Sequence, residues 1–376
     1  MVTTKIAFIL LTNGLEYDDR VRKEIRSIQT VIDDVEIKIF GFHWDNREES
    51  GVLSYGIPYQ LVPLRLRGGK KDAFHLALKE YSMYRQMKIL TKDFDILWII
   101  NDQFVLFPIL SDKKIVYDMH EVPVLVTGSK IKNAFFHQVE KNCPVFIHAN
   151  EQRIEYLRNK GIIKDVEKHL VLHNYSDREW ISHKDDKASS YRKFEEWLSG
   201  NEYIYIQGIN TQKRYPMETL SAVMETKRMR AVVIGRVEDG VMKELEAKYP
   251  DLHEWIYFTG QIVQSETASF IANCSFSIVF YTTDSPNNKY CEPNRMFQSL
   301  ALGRPVLVGN NPPMKEIVEK LRCGVVLNSD GRNVDDNING INKMIDKYEE
   351  YQSEAEKTSS TFTWEEQNEV IRRALS

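Results

Sequence analysis

The sequence has few cysteines and no long apolar run. Its four cysteines are scattered and form no CxxC pair, which argues against a zinc site or a disulfide framework and is typical of a reducing compartment. No apolar run approaches the about 18 residues that a membrane-spanning helix needs. The run from Ile6 to Leu11 is too short for a signal peptide and predicts a first strand. A soluble, cytoplasmic protein is therefore expected.

The chain as a whole also has no excess of positive charge. The net charge of −4 excludes a generally cationic protein that binds nucleic acid. The charge is uneven, because residues 60–92 carry eight Lys and Arg against Asp72 and Glu80, a local charge of +6, with aromatic and Met side chains between them. Such a segment is typical of peripheral contact with an anionic membrane surface, here the inner face of the cytoplasmic membrane. The alternatives are a helix beside a phosphate-binding cleft and an ordinary solvated surface.

Short apolar runs alternate with amphipathic segments of helical length along the whole chain. A chain of 376 residues suits two domains of about 150–200 residues each. The alternation predicts parallel sheets covered by helices on both faces, and hence two doubly wound, Rossmann-like α/β domains. The predicted strands are 5–11, 35–42, 95–100, 114–118, 145–149 and 169–174, then 203–207, 230–235, 255–258, 276–281, 304–309 and 323–327.

The composition changes between these two series of strands. From Ser176 to Asn201 the sequence is polar and charged and has no strand pattern, which indicates a linker. We therefore predict a first domain at 1–178, a linker at 179–201 and a second domain at 202–360. Because open parallel sheets bind ligands at the carboxyl ends of their strands, the candidate residues are those that directly follow strands.

Two candidate groups follow strands of the first domain. Asn13 and Gly14 come after the first strand, before a helix that Asp18 or Asp19 can cap, and such a loop binds phosphate or is simply a turn. It lacks the GxGxxG pattern, so no dinucleotide cofactor is expected. In the stretch DMHE, His120 and Glu121 can orient hydroxyls or move protons, or they are a satisfied polar residue and a cap.

Two more candidate groups follow strands of the second domain. Gly208 ends the strand YIYIQ, and Arg214 lies six residues further on, before a helix opened by Pro216. A cation beside a glycine turn suits a pyrophosphate, although surface Lys-Arg pairs are also common. Gly260 occupies a similar position after WIYFT, where its backbone can pair with the edge of a nucleobase.

The stretch CEPNRMFQSLALGRPV, residues 291–306, concentrates polar groups at the start of a predicted helix. Glu292 is expected at the N-cap, Pro293 in the first turn, Arg295 one turn in, and Gln298 on the same face as Arg295. An acceptor, a cation and an amide on one face suit a ligand made of sugar, ribose and diphosphate. The alternative is a capped helix with a solvated arginine.

With these residues in place, the chain resembles the retaining GT-B glycosyltransferases of family 4, in the branch that builds bacterial surface polysaccharides. The matching stretches follow the family's order along nearly the whole chain: DDRVRKEIRSI (18–28), VYDMHE (116–121), VLHN (171–174), YIQGINTQKR (205–214), FTGQI (258–262) and PNRMFQSLALGRPV (293–306).

The resemblance implies a GT-B fold with two domains facing a cleft, and a final helix at 361–376 that returns to the N-terminal domain. It implies transfer of a sugar, with retention, from a UDP- or GDP-linked donor to a glycan or lipid-linked acceptor. No metal and no cofactor are implied. The donor is expected on the C-terminal domain and the acceptor on the N-terminal one.

The resemblance also assigns roles to particular residues. Arg214 and Arg295 match the cations at the donor diphosphate, Gln298 the position that binds ribose hydroxyls, His120 the acceptor-side histidine, and Gly14 the glycine loop near the phosphates. The catalytic candidates are His120, Arg214, Arg295 and Glu292. The further candidates are Gly208, Gly260, Ile262, Tyr290 and Asn294 on the donor side and Asp18, Arg20 and Glu121 on the acceptor side.

The chain departs from the family pattern at three positions. Tyr290 and Gln298 stand where the family has two glutamates separated by seven residues, and Ile209 stands where many members have an arginine. A Gln still bonds a ribose diol, more weakly than a carboxylate, whereas Tyr290 cannot replace one, so Glu292 is the nearest substitute. The alternatives are a catalytically silent GT-B subunit that binds a nucleotide-sugar or a partner enzyme, and a nucleotide-sugar epimerase.

Overall fold

The computed structural model describes residues 3–11, 14–43, 45, 47–65, 73–100, 104–123 and 130–376. They form two compact units. The first unit comprises Met1–His173 together with Gln367–Ser376, and the second comprises Asn174–Glu366. Each unit has its own sheet and its own buried core.

The first unit is built on a sheet whose central strands are apolar along their length. The strands are β1 (Thr4–Leu10), β2 (Val35–His43), β3 (Glu49–Val52), β4 (Pro58–Pro63), β5 (Ile96–Ile100), β6 (Lys114–Met119), β7 (Val145–His148) and β8 (His169–Val171). Their order is β3-β4-β2-β1-β5-β6-β7-β8, and every pair is parallel except β3 and β4. All five residues of β5 are buried, as expected for a parallel strand covered on both faces.

Helices cover this sheet and place the residues that follow its strands. They are α1 (Asp19–Val31), α2 (Ala73–Leu90), α3 (Phe107–Leu110), α4 (Lys130–Asn142) and α5 (Glu151–Asn159). A short 3-10 helix, Leu15–Tyr17, precedes α1. The predicted cap of α1 is confirmed, since the Asp18 carboxylate accepts a hydrogen bond from the Val21 N–H at 3.2 Å.

The second unit has a sheet of parallel strands, all of which the sequence predicts. They are β9 (Tyr203–Gln207), β10 (Arg230–Ile234), β11 (Ile256–Gly260), β12 (Phe276–Val279), β13 (Val306–Val308) and β14 (Gly324–Val326). Their order is β11-β10-β9-β12-β13-β14. The order reverses between β9 and β12, and open α/β sheets bind ligands at the carboxyl ends of the strands beside such a reversal.

Alternate side chains along β9 pack in two separate apolar cores. Ile204 and Ile206 of β9 pack with one apolar cluster, whereas Tyr203 and Tyr205 pack with another. The helices that cover the two faces are α6 (Arg178–Ser182), α7 (Ser189–Leu198), α8 (Pro216–Thr226), α9 (Asp239–Lys248), α10 (Leu252–Trp255), α11 (Thr267–Ala272), α12 (Pro286–Lys289), α13 (Asn294–Ala301), α14 (Pro312–Leu321), α15 (Val334–Asp346) and α16 (Tyr348–Thr358). The prediction of two doubly wound α/β domains is therefore confirmed.

The segment 179–201, expected to be a linker, is instead part of the second unit. It contains most of α6 and all of α7, and Tyr191, Phe194 and Leu198 of α7 are buried in the same cluster as Phe270. These three residues lie one turn apart along one face of the helix. The charged residues on its other faces give the segment its polar average composition, and that average is what suggested a linker.

The last helix, α17 (Asn368–Leu375), packs in the first unit although the residues before it belong to the second. Ile371 and Ala374 are fully buried, and the Lys114 ammonium donates to the Leu375 carbonyl at 2.7 Å. Gln367 accepts from the His173 N–H at 2.7 Å and donates to the His173 carbonyl at 3.0 Å. Among the described helices, none is both long and apolar enough to cross a membrane.

Candidate functional site

Arg295 lies where the second sheet reverses its strand order. It is in the first turn of α13, and only 6 % of the residue is exposed. Its Nη1 donates to the carbonyl of Gln207, the last residue of β9, and its Nη2 donates to the carbonyl of Phe280, just after β12, at 3.0 Å. The guanidinium therefore spans the carboxyl ends of the two strands that flank the reversal.

The start of α13 differs by one residue from the prediction. The N-cap is Pro293, with φ −75° and ψ 137°, and no side chain caps the helix. Glu292 is thus not the N-cap, because the helix begins at Asn294 and Pro293 is the residue that precedes it. Glu292 is nevertheless buried, with 5 % of the residue exposed.

Arg214 lies beside Arg295 and is held by the glycine turn after β9. It ends the 3-10 helix Gln212–Arg214, and its Nη1 donates to the Gly208 carbonyl. Gly208 has a φ of +64°, and a Cβ atom at this position would come within 2.7 Å of Arg214 Nη1. A glycine is therefore required here both by the left-handed backbone and by the approach of the guanidinium.

Tyr281 brings the two cations together. The guanidinium carbon of Arg214 lies 4.9 Å from the centroid of the Tyr281 ring, and that of Arg295 lies 4.8 Å from the same centroid. Both distances are within the range of a cation–π contact. One ring directly after β12 thus holds two like charges side by side.

These two guanidiniums have no carboxylate partner within 4.0 Å among the described residues. Arg295 Nε is buried and has no hydrogen-bond partner among the residues that the structure describes. Burial, together with repulsion from Arg214, lowers the pKa of Arg295 below its ordinary value. Since buried charges are ordinarily paired, the buried guanidinium of Arg295 with the half-buried one of Arg214 beside it is chemically suited to an anion with several oxygens.

The other predicted donor residues are placed around α13 and the edge strand β11. Gln298 is buried one turn after Arg295, Asn294 is exposed, and Tyr290 is half-buried with Lys289 Nζ 5.6 Å from its ring centroid. Gly260 ends β11 with a φ of +68°, and its carbonyl accepts from the Gly235 N–H at 2.9 Å. Ile262 packs against the cluster that contains Trp180. The structure thus brings Gly208, Arg214 and Arg295 together and leaves Gly260 two strands away.

A second cluster of ionisable groups is buried in the first unit. Arg20 Nε lies 2.8 Å from Glu24 Oε1, and Arg20 Nη2 lies 3.2 Å from Asp118 Oδ1. His120 Nε2 lies 3.0 Å from Asp118 Oδ2. The Trp98 indole N–H donates to Glu24 Oε2 at 3.1 Å. Arg20, on α1, is therefore the cation that contacts both carboxyl groups.

The two carboxylates of this cluster are shifted in opposite directions. Burial and the neighbouring Asp118 raise the pKa of Glu24 well above its ordinary value. Burial alone would also raise the pKa of Asp118, but Arg20 and His120 outweigh it and hold that pKa below its usual range. Glu24 is thus the protonated member and Asp118 the ionised one.

Glu24, Asp118 and His120 also have a geometry suited to a metal ion. Each offers one ligand atom, and the three atoms lie within 4.8 Å of one another. However, the Arg20 guanidinium contacts both carboxylates and supplies a positive charge at this place. The donor set therefore fits an arginine-centred network better than a metal site.

The remaining candidates of the first unit are Gly14, predicted on the donor side near the phosphates, and Asp18 and Glu121, predicted on the acceptor side. Gly14 is exposed, has a φ of −89° and precedes the 3-10 helix Leu15–Tyr17. Asp18 caps α1, and Glu121 is exposed. Asn13 lies outside the described residues. Of the acceptor-side predictions, the structure thus places Arg20 and His120 in one network.

Sequence reasoning missed two residues of these clusters. Tyr281 follows β12 directly, and its position at a strand end was the signal that could have identified it. Glu24 lies four residues after Arg20 on one helical face, a spacing typical of an ion pair. Asp118 was noticed only as part of a motif, and its contact with Arg20 joins residues 98 apart.

No protein-family model matches the chain, and no curated protein matches it. Solved structures do resemble it along its whole length. HepE from Anabaena in complex with UDP is 15 % identical, with a TM-score of 0.73 and 99 % of both chains covered. Sucrose-phosphate synthase from Thermosynechococcus elongatus is 13 % identical, with a TM-score of 0.74 and 99 % and 98 % covered. An alpha,alpha-trehalose-phosphate synthase (UDP-forming) from Burkholderia vietnamiensis is 9 % identical, with a TM-score of 0.73 and the same coverage.

At these identities the likeness shows the fold. The order of the strands, the two parallel sheets and the full-length match agree: the chain has the GT-B fold, with two Rossmann-like units.

Proposed function

We propose that the chain is a glycosyltransferase that moves a sugar, with retention, from a UDP- or GDP-linked donor to a glycan or lipid-linked acceptor in surface-polysaccharide synthesis. The observation that carries this proposal is the pair of guanidiniums of Arg214 and Arg295 at the reversal point of the second sheet. The structural neighbours support it, because HepE is solved in complex with UDP and with UDP-glucose. The sequence resemblance given above supports the retaining, polysaccharide-building assignment.

The donor diphosphate leaves with negative charge as the glycosidic bond breaks. Arg214 and Arg295 are the groups in the second unit suited to stabilise that charge, and the forked donors of a guanidinium suit phosphate oxygens. Removing one well-placed donor of this kind lowers the rate by about 10²–10³-fold. The reaction proposed here is independent of a metal, because these two cations stabilise the leaving group.

The other donor-side residues are each proposed to contact one part of the donor. Gln298 binds ribose hydroxyls in place of the usual carboxylate, and Glu292 supplies the carboxylate that Tyr290 cannot. The backbone at Gly260 and the side chain of Ile262 contact the nucleobase. In the first unit, Gly14 lies near the phosphates, and Asp18, Arg20, His120 and Glu121 serve the acceptor.

A nucleotide-binding experiment tests the proposal. Nucleotides that bind the folded state raise the melting temperature by mass action, so UDP, GDP and CDP are compared with their monophosphates and sugar conjugates. We expect a diphosphate to stabilise the protein more than its monophosphate, and Arg214→Ala to remove the difference. Lys213→Ala is the matched control, since Lys213 is the exposed cation next in sequence. Equal stabilisation of wild type and Arg214→Ala by every nucleotide would refute the diphosphate site.

The main alternative is a catalytically silent subunit that binds a nucleotide-sugar or a partner enzyme. The observation in its favour is that Tyr290 and Gln298 replace two carboxylates. A donor-hydrolysis assay separates the two functions, because a transferase releases free nucleotide from its donor whereas a silent subunit binds the donor and releases none.

We further propose peripheral membrane contact through the basic segment 60–92. Leu78, Tyr81 and Ile89 of α2 are exposed at 42 %, 47 % and 66 %. They line, with Arg65 and Arg85, a groove of about 530 Å³ between α2 and β4. Arg67, Lys70 and Lys71 of the same segment lie outside the described residues. Apolar and aromatic side chains among cations are the composition that binds anionic lipid surfaces.

Vesicle sedimentation tests this contact. We expect the protein to pellet with anionic vesicles at low salt and to stay in solution with zwitterionic ones. Ile89→Glu should weaken the binding, whereas Val52→Glu, at an equally exposed position on β3, should not. Absence of sedimentation with anionic vesicles at low salt would refute the contact without affecting the nucleotide site.

A further inference from the structure

We infer that Asp118 is a positioning residue that fixes His120 in the tautomer with its proton on Nε2, so that the lone pair of Nδ1 is available to a hydroxyl of the acceptor. The inference deepens the proposed function and rests on it for the identity of the hydroxyl. The tautomer itself is a property of the first unit alone and can be measured without any turnover.

Asp118 and His120 are two positions apart along the chain, with only Met119 between them, and their side chains are in contact. Asp118 is the next-to-last residue of β6, and side chains two apart in an extended segment point to the same side. His120 Nε2 lies 3.0 Å from Asp118 Oδ2 and 3.9 Å from Glu24 Oε1. Both carboxyl groups therefore face the same ring nitrogen.

Asp118 is ionised by its surroundings and must accept hydrogen bonds. It is fully buried, and Arg20 donates to it from Nη2 at 3.2 Å. Arg20 is itself fixed, because its Nη1 donates to the Leu172 carbonyl at 3.0 Å. A carboxylate has no proton to donate, so the His120 nitrogen that faces it must be the N–H donor.

Glu24 completes the network without adding a second negative charge. It is fully buried, accepts from the Trp98 indole and stays protonated because of burial and the neighbouring Asp118. The cluster therefore holds one arginine cation against one ionised carboxylate. The contact of Glu24 with Nε2 is the longer of the two, which leaves Asp118 as the group that sets the tautomer.

The other side of His120 is left for a ligand. Its backbone is held by Arg153, whose Nη1 donates to the His120 carbonyl. Within the described residues Nδ1 has no hydrogen-bond partner, and the side chain keeps 18 % exposure. An imidazole with Nε2–H bound to a carboxylate presents a hydrogen-bond acceptor at Nδ1. That acceptor suits an alcohol that must be oriented for attack, and no proton transfer to His120 is required.

Nitrogen-15 NMR of the full chain labelled at histidine measures the tautomer directly. We expect the His120 signals, assigned by their loss in His120→Gln, to report a protonated Nε2 and an unprotonated Nδ1. In Asp118→Asn the amide donates to the ring instead, so the proton should move to Nδ1. The matched control is Asp186→Asn, which removes the exposed carboxylate 2.7 Å from His183 Nδ1 and should leave the His120 signals unchanged.

A kinetic measurement tests whether the tautomer of His120 affects transfer to the acceptor. We expect Asp118→Asn to lower transfer to an acceptor by about 10²-fold, the cost of a misplaced reacting group, while the affinity for nucleoside diphosphate stays unchanged. A protonated Nδ1 in the wild type overturns the inference even if Asp118→Asn fails to fold. Transfer at the wild-type rate in a folded Asp118→Asn whose tautomer has switched overturns the link to the acceptor. Failure of the wild type to bind any nucleotide would instead refute the proposed function and leave the tautomer result standing.

Discussion

The arginines of the candidate sites in the two units have opposite kinds of partner. In the first unit Arg20 contacts two carboxyl groups, Glu24 and Asp118, at 2.8 and 3.2 Å. In the second unit Arg214 and Arg295 lie against one tyrosine ring, with no carboxylate within 4.0 Å among the described residues. A cation whose charge is balanced within the protein orients its neighbours. Cations that lack such balance remain available to an external anion. The difference supports the proposed positioning role of the first cluster and the proposed ligand binding at the second.

The largest expected effect is on stability and comes from the balanced arginine. Arg20→Met leaves buried carboxyl groups without their cation, so we expect a loss of about 3–5 kcal/mol in the free energy of unfolding. Arg214→Met removes a cation that has no internal partner and should reduce stability far less, while abolishing the preference for a diphosphate. Chemical denaturation measures both, and Arg158→Met, at an exposed arginine of α5, is the control. Equal losses in the Arg20 and Arg214 variants would contradict the comparison.

Gly208→Ala tests how the turn after β9 holds Arg214. The positive φ of +64° should cost about 1–3 kcal/mol of stability. The new Cβ displaces the guanidinium and should weaken binding of nucleoside diphosphate about tenfold, the loss of one charge-assisted contact. Gly161→Ala is the matched control, because its φ is +65° with open space around it. Calorimetric titration should show weaker binding for Gly208→Ala alone, and a similar loss in both variants would rule out the contact with Arg214.

Tyr281→Leu removes the ring that holds the two guanidiniums together. A cation–π contact contributes about 0.5–1 kcal/mol, so we expect nucleoside diphosphate to bind about two- to fivefold more weakly. Tyr281→Phe keeps the ring and should bind as the wild type does. If the Phe variant bound as weakly as the Leu variant, the hydroxyl and not the ring would be the important group.

Glu24→Gln gives the smallest effect and tests which carboxyl carries the proton. The pKa of Glu24 is raised in the folded state, so its contribution is fully present below its unfolded pKa of about 4.3 and is lost as pH rises through the folded pKa. The stability of the wild type relative to Glu24→Gln should therefore fall by about 1 kcal/mol or more between pH 5 and pH 8. Urea denaturation across this range measures the slope, and a difference independent of pH would mean that Glu24 is already ionised at pH 5.

The sequence predicts the second unit better than the first. Strands β9 to β14 are short apolar runs between helices, and buried parallel strands have such a pattern. Strands β3 and β4 were missed, because ESGV and PYQLVP contain Gly, Pro and polar residues typical of the edge of a sheet.

Which side chains follow strands is visible in the sequence, but their partners are not. Arg214 and Arg295 could be identified because each lies within two residues of the start of an α-helix, at Pro216 and Asn294 respectively. Their meeting on Tyr281 depends on contacts over long separations, such as the 88 residues between Arg295 and Gln207. The same holds for Glu24 and Trp98, which are 74 residues apart. The local sequence pattern therefore indicates where a candidate site lies. Which charged groups are paired there can be seen only in the folded structure.

The position of α17 affects the order in which the chain can fold during synthesis. His173 and Gln367, which bond to each other, are 194 residues apart, so at about 5–20 residues per second the ribosome delivers Gln367 about 10–40 s after His173. Throughout that interval the surface that later buries Ile371 and Ala374 has no cover. An apolar face of the nascent first unit therefore stays accessible to chaperones until the whole of the second unit has been translated.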